Sequence, residues 1–89
     1  MSRAIRKRLW LSIAREAGRE VAECATLAST PNDIISAVLD RAAERLLREM
    51  SGAGCHQDEI QAALIMMNDT YECRSRALRL AFSHEGGHA

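Results

Sequence analysis

The sequence predicts an all-α fold, three amphipathic helices in an antiparallel helical bundle completed by dimerisation. Three observations predict it. Fifteen alanines against a single proline favour helix throughout the chain. Apolar residues recur at alternating steps of four and three, the spacing of one helix face. Two punctuation points, Ser29-Thr30-Pro31-Asn32-Asp33 and Ser51-Gly52-Ala53-Gly54, cut the chain into three stretches. With 89 residues the chain suits one domain, 1–89, and is too short for two. The helices are expected near 3–28, 31–51 and 56–83, with a polar tail over 84–89.

The first helix places Trp10, Ala14, Ala17, Val21, Cys24 and Ala28 on one seam, with Ile5, Leu9 and Ile13 beside it. Ala14, Gly18 and Ala22 form a second, narrow ridge of small residues. A glycine costs about 1 kcal/mol in a helix interior, so Gly18 implies either a close helix–helix approach or a kink. The second helix has a strong start: Thr30 as cap, Pro31 at the first helical position, and Asp33 with favourable charge. Its stripe, from Ile34 and Ile35 through Val38, Leu39, Ala42, Ala43, Leu46 and Leu47 to Met50, is wide enough to need cover from two sides. This helix is therefore expected to be the central element.

The third helix opens on Asp58 and Glu59 and carries Arg74, Arg76 and Arg79 near its end, as the helix dipole prefers. Its seam is Ile60, Leu64, Met67, Tyr71, Leu78 and Ala81. Ile65, Met66, Leu80 and Phe82 lie off that seam, and in so small a monomer some of them should stay exposed as a second contact surface. Short turns make successive helices antiparallel. The middle helix is the shortest, so the outer pair overhangs it or bends, a further reason to expect a partner chain.

Composition narrows the function. Apolar residues make up 47% of the chain and aromatics 3%, so the core must be built from Ala, Leu, Ile and Met. Twelve basic and twelve acidic residues cancel, which gives no global electrostatic case for nucleic acid. The excess of positive charge is confined to the N-terminal third. Arg6-Lys7-Arg8 before Leu9-Trp10-Leu11 resembles the opening of a signal peptide, but Arg15 and Glu16 end the apolar run and no A-x-A site follows. Nothing approaches the ~18 apolar residues of a membrane span. Three cysteines without a CxxC pair fit free thiols in a reducing compartment, and the cytoplasm is the expected location.

His84-Glu85-Gly86-Gly87-His88 fits H-E-x-x-H, the zinc-hydrolase string that sets two imidazoles and a glutamate on one helix face. Two glycines inside it, costing about 2 kcal/mol against alanines, and only Ala89 after it favour a polar tail. A structural zinc held by Cys55, Cys73, His84 and His88 is opposed by geometry, because Cys55 and Cys73 stand ~27 Å apart along one helix. A site limited to Cys55 and His56, or shared between chains, is the remaining form. Cys24 and Cys73 lie on or near apolar stripes and are expected as buried free thiols. No phosphate loop or nucleophile elbow occurs, and no paired carboxylates in a recognisable cleft, so the chain is read as no enzyme, with no cofactor and no metal.

The N-terminal cations oppose the dipole of the first helix by about 0.3–1 kcal/mol each, so that end frays or an acidic surface compensates it. An acidic protein patch, a nucleic-acid backbone, an anionic membrane surface and plain solvation are the readings to weigh. A helix-turn-helix over the second and third helices would bring Asp58 and Glu59 towards phosphates, which repel them. The expectation is a small protein-binding regulator or inhibitor of the type carried by phages or mobile elements. It would act as a homodimer on a larger protein with an acidic and apolar surface. Partner contacts are expected from Arg6, Lys7, Arg8, Trp10, Ile65, Met66 and Phe82. The alternatives are a dimeric nucleic-acid-binding regulator using the basic arm and, behind it, the zinc-dependent hydrolase.

Overall fold

The computed structural model describes residues 3–86, with side chains described from Ala4 to Ala81. It consists of α1 (Arg3–Leu27), α2 (Asn32–Gly52) and α3 (Gln57–Gly86), and no strand occurs among the described residues. The all-α bundle expected from the periodicity is observed. The backbone of α3 runs three residues beyond 83. Of the H-E-x-x-H string, no side chain lies within the described residues.

Both turns are closed by the same backbone device. After α1, Ser29 takes φ 50°, while Thr30 N–H donates to Ala25 at 3.0 Å and Ser29 N–H to Thr26 at 3.3 Å. After α2, Gly54 takes φ 80°, while Cys55 N–H donates to Met50 at 3.0 Å and Gly54 N–H to Ser51 at 3.1 Å. These paired bonds satisfy the last carbonyls of each helix and turn the chain back on itself. The glycine stop after α2 was legible in the sequence. The same motif after α1 uses serine, where no glycine announced it.

The start of α2 differs from expectation. Pro31, not Thr30, is the N-cap: its backbone is extended (φ −60°, ψ 149°), its carbonyl accepts from Ile35 N–H at 3.0 Å, and no side chain caps the helix. A ψ of that size takes Pro31 out of the helix, which shifts the cap by one residue.

The packing order also differs. The tight pair is α1 and α3, which run parallel: Arg6 meets Glu59, Gly18 meets Met67 and Tyr71, and Glu23 meets Arg74, rising together along both helices. The fully buried face of α1 is the narrow ridge Ala14, Gly18 and Ala22, while Trp10 and Ala17 of the wider seam are half-buried beside it. Small side chains let two helix backbones come close enough for carbonyls to meet Cα atoms. The close approach at Gly18, not a kink, is thus what the structure contains.

Helix α2 is not the central element. It leans on the α1–α3 pair chiefly through its second half, where Leu46 and Met50 are buried with Ala14, Ile60, Ala63 and Met67 in one core cluster. Its wide stripe is not covered from two sides, since Ile34, Val38 and Leu47 remain exposed. The physical reason is that α1 and α3 satisfy each other through small residues, which leaves no cleft wide enough to enclose a third helix. The extents are 53 × 24 × 15 Å, and the radius of gyration of 15.0 Å exceeds the ~12 Å of a compact domain this long.

Cys24 and Cys73 are exposed free thiols, contrary to the expectation of burial, and only Cys55 is half-buried. The α3 stripe is buried at Ile60 and Met67, but Cys73 lies beside it, and the α1 stripe turns away from the core before it reaches Cys24.

Candidate interaction surface

The parallel arrangement places the N-termini of α1 and α3 side by side, so the basic turns of one lie against the acidic first turn of the other. Arg6 Nη2 stands 3.6 Å from Glu59 Oε1, with the arginine side chain 35% and the glutamate 7% exposed. Lys7 shares a shallow depression with Ala4, Asp58, Glu59 and Ala62. The carboxylates also favour the positive end of their own helix dipole. The acidic surface beside Arg6 and Lys7 therefore belongs to this chain. Arg8 is exposed, while Trp10 is half-buried against the core.

The expected apolar contacts on α3 do not form one patch. Ile65 is 58% exposed, while its neighbour Met66 is half-buried and packs on the core cluster. The Phe82 side chain lies outside the described residues. Ile65 and Leu80, the second at 66% exposure, stand far apart along α3, and Gln61, Asn68 and Asp69 beside Ile65 at helical spacing are exposed polar groups.

The continuous exposed apolar surface lies instead on α1 and α2. Along α1, Ile5, Leu9, Ile13, Ala17 and Val21 follow at four-residue steps, a continuous ridge that winds about 40° round the helix per step, from the outward side towards α2. The first three are 56%, 48% and 38% exposed, and the row passes to half-buried at Ala17 and Val21. Along α2, the row Ile34, Val38, Ala42 and Leu46 does the reverse. Leu46 is buried, Ala42 half-buried, and Val38 and Ile34 are 45% and 49% exposed. The two rows border a groove of 530 Å³ between the helices. Its floor is Ala17, Val21, Ala42 and Leu46. Glu16 and Glu20 stand on its α1 rim, and Arg41, Arg45 and Glu49 on its α2 rim.

Sequence reasoning noted Ile5, Leu9 and Ile13 only as neighbours of a seam. The signal that marks them is the ridge at Gly18: once small residues take the helix contact, the large ones on the other side are left to solvent.

A second groove of 540 Å³ lies between the α1–α2 turn and α3, lined by hydroxyl side chains together with Arg76 and Arg79. Arg79 Nε donates to Ser75 O at 3.4 Å, so this arginine braces its own helix. Among the described residues no three His, Cys, Asp or Glu side chains are grouped to hold a metal ion. No described helix is long and apolar enough to cross a membrane.

Comparison with protein-family models, curated proteins and solved structures finds no match for this chain.

Proposed function

We propose that this chain is a non-enzymatic protein-binding module, a small homodimeric regulator or inhibitor that works by covering a surface on a larger protein. The observation that carries the reading is the exposed row Ile5, Leu9 and Ile13 on α1, continuous with the open groove beside α2. A contiguous exposed apolar row rimmed by charged residues is the pattern of a contact site on a small domain.

At the N-terminal end of that row Arg8 shares a helix side with Ile5 and Leu9 and is exposed. Apolar groups would supply contact area there, and the exposed Arg8 would orient an acidic and apolar partner surface. The acidic groups Asp58 and Glu59 beside Arg6 and Lys7 weigh against the nucleic-acid reading. Exposed free thiols at Cys24 and Cys73 suit a reducing compartment, in keeping with a cytoplasmic protein.

The test is capture of a partner by the full chain, compared with Leu9→Glu and Ile65→Glu. Loss of the captured protein with Leu9→Glu alone is the expected result. Capture that survives Leu9→Glu and Ile13→Glu would remove the α1 row from the function.

A further inference from the structure

We infer that the α1–α2 groove is the face of a two-fold homodimer in which α1 of each copy lies over α2 of the other. The inference rests on the reading above that the exposed apolar surface is a protein contact, and it assigns this part of it to a second copy of the chain.

The charges on the rims select the occupant. The α1 rim carries Glu16 and Glu20, a charge of −2. The α2 rim carries Arg41, Arg45 and Glu49, a charge of +1, with Arg45 Nε holding Glu49 Oε1 at 3.1 Å and Arg41 exposed. A face acidic along one edge and basic along the other is complementary to itself. A two-fold interface requires that property, because each patch meets its own copy with the roles exchanged.

The charges also select the symmetry. A two-fold axis parallel to the helices sets α1 of one copy over α2 of the other. Because α1 and α2 are antiparallel neighbours in one hairpin, Glu16 and Glu20 then lie level with the partner's arginine edge, and the match occurs twice. An axis across the helices would stack α1 on α1 and bring the glutamates onto their own copies, which is repulsive. Ile13, 38% exposed, lines the groove beside its floor of Ala17, Val21, Ala42 and Leu46, and Val38, 45% exposed, extends the α2 row one turn before Ala42, so both offer apolar area to the second copy.

The experiment is sedimentation of the full chain across the micromolar range, with helix content followed by circular dichroism. Wild type and Ile65→Glu are expected as dimers, and Val38→Glu and Ile13→Glu as folded monomers. Glu20→Arg alone and Arg41→Glu alone should each weaken the dimer by about tenfold or more. The double variant Glu20→Arg/Arg41→Glu should restore it, which an α1-on-α1 dimer would not do.

A dimer unaffected by Val38→Glu and Ile13→Glu, or a monomeric wild type, overturns the inference. The two readings then separate on partner capture. A monomer whose capture of another protein is lost with Val38→Glu leaves the protein-binding reading standing and gives the groove to that partner. A monomer whose capture is indifferent to Val38→Glu, Ile13→Glu and Leu9→Glu removes both.

Discussion

Gly18 of α1 lies against the backbone of α3 at Met67. A Cβ atom built on it would collide with the Met67 carbonyl oxygen and stand 3.1 Å from both the Met67 carbonyl carbon and the Tyr71 nitrogen. Those atoms belong to a helix backbone and cannot turn aside as a side chain can. The glycine thus sets how close the parallel helices come, and with that how much of α1 is left facing outward.

Gly18→Ala is therefore expected to destabilise the fold. It gains about 1 kcal/mol of helix propensity. Forcing the backbones apart costs more, for a net loss of about 1–3 kcal/mol. In a domain of this size that is a fall of at least ~4 °C in thermal midpoint. Gly18→Val should cost more again. Thermal unfolding followed by circular dichroism measures both, and a midpoint raised by Gly18→Ala would contradict the close approach.

The ion pair between Arg6 and Glu59 predicts a salt-sensitive contribution. Arg6→Ala should cost on the order of 1–2 kcal/mol, less than for a fully buried pair because the arginine is partly solvated. Arg8→Ala, at an exposed side chain, should stay within about 0.5 kcal/mol of wild type. Denaturant titrations at low and high salt check this. The gap between the two variants should narrow in high salt, where partly exposed charges are screened.

Helix α2 should respond unevenly along its length. Met50 is fully buried in the core cluster, so Met50→Ala should cost about 2–5 kcal/mol. Leu47, one turn earlier and exposed, should lose less than about 1 kcal/mol on the same change. Equal losses at the two positions would mean that α2 is enclosed on both sides after all.

The two helix stops should answer oppositely to substitution. Ser29 carries a left-handed backbone on a residue with a Cβ, so Ser29→Gly is expected to stabilise by a few tenths to about 1 kcal/mol. Gly54→Ala imposes that strain where it is now absent, and should destabilise by about 1 kcal/mol although no atom crowds the site. Paired unfolding curves decide it.

Much of the candidate surface was hidden in the sequence for one reason. An exposed row such as Ile5, Leu9 and Ile13 has the same periodicity as a buried one, and so has Ile34 with Val38. Ile65 and Met66, adjacent in sequence, have different fates because a one-residue step turns a helix by about 100°, from solvent to core. The glycine ridge was visible, yet its consequence, that the large side chains of α1 are displaced outward, needs the partner helix to be known.

By itself the sequence determined the number of helices, their approximate ends and their all-α class, since propensity, caps and periodicity act within a few residues of each other. It also determined the charge order along the third helix, where local dipole interactions decide. Only the tertiary structure decided that α1 pairs with α3, that α2 leans against them, and that the basic arm meets Asp58 and Glu59. Those outcomes depend on which of several apolar faces pack closest. Dispersion and desolvation between segments some fifty residues apart set that choice, and no local pattern records it.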